Sequence, residues 1–353
     1  MQRATILALL YFFALGFAPT TAAAQDGISI ESDAIEIKIG GRVQTQFNTT
    51  TSLTEAPSEM ILRRARLELD VKINDVVSGT VRPEFAAGDV ALRDAYLKLT
   101  FSPAFQILTG QAYKPFSLLE QTSSTRILPV ERGVRVRGVD AMDEYAIIND
   151  LEYSDRDIGV QVMGQPAFLP LGFTYQGGIF RGPLHGASTV EDSYQYAARV
   201  TVQPIDVVRV GAGWSSRDFV SLPLDEADPF DRGHAFELDL EVGAYAPGLH
   251  LLGEIAFGDA DPDTDADFFG TQGWLGWRSE RLSSVISGVE PIFRASYGEM
   301  GDLSATLFTP GLNVYLGGRN RVMVNYDFVL RDDPLDPDAD NEGSFKAQFQ
   351  LAF

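Results

Sequence analysis

Apolar and polar residues alternate through the last eleven residues of the chain, from Gly343 to Phe353. The apolar set is Phe345, Ala347, Phe349, Leu351 and Phe353, and the polar set is Lys346, Gln348 and Gln350. Because successive side chains of a β-strand point to opposite faces, this pattern predicts one strand with an apolar face and a polar face. A strand of a soluble β-protein and the closing strand of a membrane β-barrel both fit, and the terminal aromatic favours the barrel.

The same alternation recurs along most of the chain. Residues 65–73 and 322–330 show it most clearly, and it is weakest in the strands near 105, 268 and 305. The predicted strands lie near residues 35–47, 65–73, 76–85, 91–101, 105, 157–165, 171–181, 193–203, 206–216, 234–245, 249–258, 268–278, 286–298, 305–316, 320–331 and 344–353. These are about sixteen strands, an even number of the kind that bacterial barrels prefer.

The connections between these strands alternate between short and long. The short turns are at residues 74–75, 102–103, 165–170, 203–204, 246–248, 279–283 and 317–320. The intervening loops are mostly longer and acidic, as at 218–231, 259–267 and 332–342. Short turns on one side and longer loops on the other are typical of outer-membrane barrels, whereas a soluble sandwich has no reason to alternate its loops. The predicted fold is all-β, a transmembrane antiparallel up-and-down β-barrel of about 16 strands.

One connection, over about residues 115–156, is much longer than the rest and shows no strong periodicity. We therefore predict a loop without regular structure. Unstructured connections of this length are uncommon in compact domains unless they are functional.

The N-terminus has the pattern of a secretory signal peptide. Arg3 supplies a positive charge, an apolar run follows over 6–17, and Ala22, Ala23 and Ala24 form a cleavage site before Gln25. The apolar run is shorter than the about 20 residues that a spanning helix needs. We predict a cleaved signal peptide over 1–24, a short lead over 25–33 and an outer-membrane barrel over 34–353, in a bacterium of the Gram-negative type.

Composition removes several classes of function. Without residues 1–24 the formal net charge changes from −21 to −22, which argues against nucleic-acid binding. The chain has no cysteine, so disulfides, thiol catalysis and cysteine-ligated metals are excluded. The alternating aspartates at 259–267 lack the glycine and the distal glutamate of an EF-hand. No cofactor and no metal site are predicted.

A family resemblance appears at the start of the long loop, where residues 110–132 read GQAYKPFSLLEQTSSTRILPVER. The matching residues are Gly110, Lys114, Pro115, Phe116, Ser117, Thr122, Ser123, Ser124, Glu131 and Arg132. This stretch resembles the entry to loop three in the phosphate-selective porin O and P family, although Lys114 meets Pro115 without the family's spacer residue. Segments 92–96, 157–161 and 289–297 add to the likeness. The resemblance implies a sixteen-stranded trimeric channel whose third loop folds into the lumen and narrows it.

Basic residues concentrate in the first half of this loop and acidic residues in the second. The candidate constriction residues are Lys114, Arg126, Arg132, Arg135 and Arg137. A guanidinium group binds phosphate through two hydrogen bonds and keeps its charge, so these arginines are candidates for coordinating permeating anions. The alternative is that they pair with the loop's own acids and fix the loop to the barrel wall.

Strand parity also predicts charged side chains on the inner wall. The first four strands point Lys38, Arg42, Arg64, Arg66, Lys72, Arg82 and Lys98 into the lumen. Later strands point Glu237, Asp239, Glu241 and Glu254 inward. A basic wall opposite an acidic wall creates a transverse field that orients polar solutes. Alternatively, Glu68, Asp70, Glu84 and Asp94 neutralise the nearby arginines and leave a solvated lining without selectivity.

The function predicted from these features is a passive diffusion channel for small hydrophilic solutes, with anion or phosphate preference arising from the loop-three arginines. The expected partners are membrane lipid and lipopolysaccharide, the permeating solutes, and two further copies of the chain in a homotrimer. The alternatives are a general porin without anion preference, a barrel-embedded enzyme, and a structural or adhesive barrel. An enzyme would have to use His185, His234 or His250, and none lies in a recognised catalytic motif.

Overall fold

A computed structural model describes residues 28–31, 35–50, 58–88, 90–134, 141–182, 193–220, 230–243, 245–332 and 342–353. The strands are β1 (Ile28–Glu31), β2 (Glu36–Thr50), β3 (Ser58–Lys72), β4 (Val77–Glu84), β5 (Ala91–Ser102), β6 (Phe105–Tyr113), β7 (Arg156–Gly164), β8 (Thr174–Phe180), β9 (Gln195–Ile205), β10 (Val208–Val220), β11 (Phe230–Val242), β12 (Gly248–Asp261), β13 (Ala266–Arg278), β14 (Gly288–Met300), β15 (Leu303–Gly317), β16 (Asn320–Asp332) and β17 (Glu342–Ala352). The helices are α1 (Leu118–Gln121) and α2 (Glu144–Asp150), with 3₁₀ turns at Ala86–Gly88 and Pro262–Thr264.

Strands β2 to β17 form a closed antiparallel barrel of sixteen strands. Each strand pairs with the next along the chain, and β17 pairs with β2 from Ser344 opposite Thr50 to Ala352 opposite Arg42. This confirms the predicted up-and-down barrel of about sixteen strands. Closure gives each barrel strand a neighbour on both sides, which a sheet surrounded by hydrocarbon requires.

The barrel is polar inside and apolar outside. In β17, Lys346, Gln348 and Gln350 are at most 1% exposed, whereas Phe349 and Leu351 are 38% and 44% exposed. The same alternation of exposed apolar and buried polar side chains continues around the sheet, which is the reverse of a soluble protein and suits a lipid-facing outer surface. No helix within the described ranges is long and apolar enough to span a membrane.

The N-terminal lead contains a strand that the sequence pattern did not predict. β1 pairs with the start of β2, from Ile28 opposite Ile39 to Glu31 opposite Glu36. The pairing of β17 with β2 ends near Gly41, so β1 covers the part of the β2 edge that lies beyond the end of β17. The predicted signal peptide, 1–24, lies outside the described residues.

Closure also depends on a close approach at Gly41. Its backbone exchanges two hydrogen bonds with Phe353, of 2.9 and 3.1 Å, and the Phe353 ring lies over it. A Cβ atom at position 41 would come within 2.7 Å of both the Arg66 carbonyl oxygen and the Phe353 ring. Only glycine leaves this space free.

We therefore expect Gly41→Ala to lower the free energy of unfolding by about 1–3 kcal/mol, the usual effect of overpacking a filled site. Denaturant unfolding of the detergent-solubilised barrel measures this. Gly273→Ala is the matched control, because the nearest atom to a Cβ there is 3.9 Å away. Equal stability of the two variants would show that the Gly41 contact with Phe353 does not constrain closure.

Candidate functional site

The long connection between β6 and β7, residues 114–155, is called loop three below, and its described parts, 114–134 and 141–155, lie inside the barrel. The prediction that it lacks regular structure was wrong, because it contains α1 and α2. Each helix begins at a polar cap. The Ser117 hydroxyl accepts a hydrogen bond from the Glu120 amide at 3.1 Å, and the Asp143 carboxylate accepts one from the Ala146 amide at 2.9 Å.

Three apolar clusters hold loop three against the inner wall. The first joins Phe116, Ile147, Ile148 and Tyr153 of the loop to Ala235, Ala256, Ala260 and Phe268 of the wall. The second joins Leu118, Leu119, Ile127 and Leu128 to Leu252, Trp274 and Ile292. The third joins Val134 and Ala141 to Ala305, Leu307 and Val329. The apolar contacts of the loop therefore lie on the wall from β11 to β16, and the open space of the lumen lies beside strands β5 to β10.

Polar side chains of the wall satisfy the backbone of the first half of loop three. Arg294 donates to the carbonyls of Glu131 and Arg132 at 3.1 and 2.8 Å. The other donors to loop carbonyls are Arg321 to Ile127, Lys346 to Val134, Asn313 to Leu128, Gln272 to Arg132 and Gln350 to Thr125. These contacts meet the requirement that buried backbone groups be hydrogen-bonded. They fix the path of the loop.

Asp327 of β16 joins several of these wall residues in one buried network. Its carboxylate lies 2.8 Å from Arg294 and 2.9 Å from Lys346, and it also accepts hydrogen bonds from Thr309 and Ser344. Arg294, Lys346 and Asp327 are each 1% exposed. Asp327 thus provides the negative charge for the two cations that hold loop three.

A cavity of about 730 Å³ remains between loop three and the strands β5 to β12, toward the short-turn end of the barrel. Loop three contributes Gln121, Thr122, Ser123 and Arg126 to one side. The wall contributes amides and hydroxyls from Gln106, Gln165, Thr174, Tyr175, Gln176, Thr201 and Gln203. Its charged lining residues are Lys98, Arg126, Arg199, Arg209 and Glu241. The cavity lining therefore mixes polar and apolar groups and has more cationic than acidic side chains.

Two of these four cations are paired with acids. Arg199 contacts Glu237 and lies 2.6 Å from Asp239, and Arg209 lies 2.9 Å from Glu241. The other two are Lys98 of β5 and Arg126 of loop three, which contact no acidic side chain within the part of the chain that the structure describes. Arg126 is exposed and Lys98 half-buried. Uncompensated charge in the cavity is therefore located at Lys98 and Arg126.

The structure places the predicted loop-three residues in different environments. Arg126 lines the cavity, but Arg132 is buried and donates to the carbonyls of Leu119 at 2.7 Å and of Thr122. Arg132 therefore stabilises the loop and does not line the cavity, which corrects the interpretation of it as a constriction residue. Arg135 and Arg137 lie outside the described residues.

Lys114 is likewise buried at the start of loop three and is not among the cavity residues. Its ammonium group donates to the Glu152 carbonyl at 2.7 Å and to the Gln195 side chain at 2.9 Å. Burial lowers the pKa of Lys114 to about 8, against opposing effects from Asp157 and other acids. Lys114 joins the two ends of the loop.

Most cations of the predicted basic wall are paired with nearby acids. The pairs are Arg42 with Glu68, Arg64 with Glu131, Arg66 with Glu84, Arg82 with Glu68, Asp70 and Asp94, Lys38 with Glu36 and Lys72 with Asp75. Lys98 has no such partner. These contacts favour local neutralisation over a transverse field for most of this wall.

The predicted acidic wall is covered by loop three. Glu254 accepts a hydrogen bond from the Leu119 amide at 3.1 Å, and it lies directly opposite Asp239 in the pairing of β11 with β12. Glu237 and Asp239 are buried beside Arg199, whereas Glu241 reaches the cavity. Of the four predicted acids, only Glu241 lines the cavity.

Arg63 was not predicted to point inward. It lies 2.5 Å from Glu131 of loop three, beside Arg64 at 3.4 Å. Strict alternation places neighbouring residues on opposite faces, but the pairing of β2 with β3 shifts by one residue between Gln44 and Thr45. This irregularity turns both arginines toward the loop. Burial would raise the pKa of the Glu131 carboxyl, but Arg63 and Arg64 lower it to about 2.

The sequence-based prediction of lumen residues also missed four arginines, which are Arg199, Arg209, Arg294 and Arg321. All four lie in predicted strands at positions that face the lumen, so the parity argument applied to every strand would have found them. Their division into cavity residues and loop anchors depends on the path of loop three, which parity does not give.

Solved structures with the same architecture are outer-membrane proteins. The anion-selective porin from Comamonas acidovorans has a TM-score of 0.64 at 13% identity, over 90% of this chain and 100% of that one. The outer-membrane channel DcaP of Acinetobacter baumannii has a TM-score of 0.61 at 13% identity, over 93% and 100%. A trimer form of OmpT from Vibrio cholerae has a TM-score of 0.58 at 12% identity, over 90% and 100%. At these identities the likeness establishes the fold alone.

A comparison with curated protein sequences gave no match. A family comparison matched residues 37–221, more than half of the chain, to the family described as "Phosphate-selective porin O and P". The matched region contains β2 to β10 and all of loop three. The chain therefore belongs to the phosphate-selective porin O and P family of outer-membrane porins.

Proposed function

We propose that this porin is a passive diffusion channel of the bacterial outer membrane that prefers small anions over cations, and that the preference arises at Lys98 and Arg126. The observation that carries the proposal is the cavity beside loop three, where these two cations have no acidic partner in the described ranges. Every permeating ion that crosses the cavity meets a low-dielectric wall with uncompensated positive charge. Such a site raises the local concentration of anions.

The lining supports general anion preference more than specificity for phosphate. A site selective for phosphate needs several guanidinium or ammonium groups that converge on one anion. Here Arg199 and Arg209 are neutralised by acids, and most other polar lining residues are amides and hydroxyls. Inorganic phosphate should therefore block the chloride current no more strongly than sulfate at the same concentration.

Export and assembly complete the proposal. Residues 1–24 are removed as a signal peptide, and three copies of the barrel associate in the membrane. The trimer form of OmpT is a fold-level precedent, and the exposed apolar outer face offers the contact surface. Longer acidic loops face lipopolysaccharide at the outer surface.

We assign the chain no catalytic role. His250, the histidine closest to the cavity, has both ring nitrogens engaged. Nδ1 lies 2.6 Å from Glu290, and Nε2 lies 2.9 Å from the Ala246 carbonyl. His234 stacks on Trp214, and His185 lies outside the described residues. These contacts support structural roles for His250 and His234.

Planar-bilayer recording of the purified protein tests the proposed function. In a KCl gradient we expect discrete ion-conducting steps and a zero-current potential of the sign that chloride permeation produces. Absence of steps would refute the channel. A potential of the opposite sign would refute anion preference while leaving the channel intact.

A further inference from the structure

Four acidic side chains meet behind loop three, where little water reaches them. They are Glu144 of α2, Glu237 and Asp239 of β11, and Glu254 of β12, and each is at most 4% exposed. Arg199 is the one cation in contact with them among the described residues, and it pairs with Glu237 and Asp239. Because separating like charges from water is costly, the four carboxyl groups cannot all be ionised in this space.

Glu144 and Glu254 carry the unbalanced charge. The Glu144 side chain packs against Gly270, two residues along β13 from Gln272, whose strand partner is Glu254. No N–H or O–H donor of the described chain reaches either oxygen of Glu144 or the Oε1 atom of Glu254. A proton on one of the two groups would supply the missing donor, because a protonated carboxyl group carries an O–H and a buried polar atom without a partner is costly.

This contact connects loop three to the barrel wall. Glu254 also accepts the Leu119 amide of α1 at 3.1 Å, so both helices of loop three reach the same wall residue. The α2 helix lies close to the wall at two glycines, since a Cβ at Gly270 would be 2.8 Å from the Glu144 side chain. At Gly298 a Cβ would be 2.2 Å from the Met142 carbonyl oxygen.

We propose that Glu144 and Glu254 are a proton-binding pair that holds loop three against the barrel wall and releases it when the shared proton is lost as pH rises. With the proton, a carboxyl-to-carboxylate hydrogen bond joins loop and wall. Without it, two adjacent buried carboxylates repel each other, next to the partly neutralised Glu237 and Asp239. Loop three then moves toward the open side of the lumen and changes the conductance.

The groups that face this pair support the assignment. On the loop side, Asp143 adds a further carboxylate, which accepts the amides of Ala146 and Val134. On β13 the facing inward residues are Gly270 and Gln272, which carry no charge, and Arg294 of β14 is already paired with Asp327. No second cation is therefore positioned to replace the proton within the described ranges.

The sign of the pH dependence follows from the direction of the pKa shift. Burial, and next the Glu254 carboxylate, raise the pKa of the Glu144 carboxyl well above its ordinary value. A carboxyl group whose pKa is raised binds more protons when docked than when released. Docking is therefore favoured below the ordinary pKa and weakens as pH rises toward the raised pKa.

Single-channel conductance measured from about pH 6 to about pH 10 tests the pair, with the range chosen to lie above the ordinary glutamate pKa. The wild type should change its conductance as pH rises. Glu144→Gln should lose this change, because its amide donates to Glu254 at every pH, and Glu254→Gln should lose it for the same reason. Asp150→Asn, which removes an acid from the exposed end of the same helix, should retain the wild-type profile.

The same variants distinguish the glutamate pair from Lys114, a second group that titrates in this pH range. Lys114 loses its charge in this pH range, because burial lowers its pKa to about 8. It is unchanged in Glu144→Gln, so pH dependence that survives in this variant would overturn the proposal. A wild-type conductance that stays constant with pH would overturn it as well.

Trypsin cleavage of loop three gives a readout that does not depend on the proposed function. At alkaline pH the wild-type loop should be cleaved faster than the loop of Glu144→Gln at the same pH. Equal cleavage would refute release of the loop. If the wild type and Glu144→Gln differed in cleavage but the protein conducted no current, the proposed channel function would be refuted and the proposal of the proton-binding pair would stand.

Discussion

Replacing Asp327 by alanine is expected to lower the free energy of unfolding by about 3–5 kcal/mol and to release loop three, because it leaves buried cations without their counter-charge. Arg294 and Lys346 are each 1% exposed and lie within 3 Å of the Asp327 carboxylate. The same two cations donate to the carbonyls of Glu131 and Val134. Their rearrangement therefore removes both a stabilising network and the attachment of the loop.

Denaturant unfolding measures the stability loss, and single-channel recording measures the change in the pore. Asp302→Ala is the matched control, since it removes an exposed acid from the turn between β14 and β15. We expect the control to resemble the wild type in both measurements. If Asp327→Ala were as stable as Asp302→Ala and conducted like it, the network would not hold loop three.

Gly298→Ala is expected to displace α2 from the wall. The added methyl group would lie 2.2 Å from the Met142 carbonyl oxygen, a backbone atom, and 2.8 Å from the buried Ile147 side chain, so part of this contact must shift. Overpacking of this kind costs about 1–3 kcal/mol. The displaced helix should expose loop three to trypsin and alter the conductance at neutral pH.

The control for this substitution is Gly253→Ala. Gly253 also lies in a barrel strand, but no heavy atom of the described chain lies within 4 Å of a Cβ there. Cleavage and conductance of this variant should match the wild type. If Gly298→Ala behaved like Gly253→Ala, loop three would not pack closely against β14 at Gly298.

The barrel could be predicted from sequence because its physics is local. A strand that separates water from hydrocarbon must alternate, and β17 does so without exception over residues 345–351. β16 alternates over 322–330 except at the inward-facing Met323 and Val329. The weak alternation near 268 and 305 has a structural cause. Phe268, Trp274, Ala305 and Leu307 point inward but pack against loop three, so their inner face is apolar as well.

The environments of the candidate site residues could not be predicted in this way. Basic residues in the loop were predicted as one group, yet Arg126 faces the cavity while Arg132 is buried within the loop. Their environments are decided by contacts with strands more than a hundred residues away, such as Arg294 and Gln272. A shift in strand pairing likewise reversed the direction of Arg63. Sequence spacing contains none of this information.

The zero-current potential of Lys98→Gln, Arg126→Gln in a KCl gradient tests the central claim most directly. Both lysine and arginine become shorter, uncharged side chains that can still form hydrogen bonds, so the cavity loses two positive charges and keeps polar groups at both positions. The matched control is Arg281→Gln, Arg319→Gln, which neutralises two exposed cations in the short turns. The account predicts a loss of anion preference in the cavity variant and wild-type selectivity in the control. Unchanged selectivity in the cavity variant, or an equal loss in the control, would contradict it.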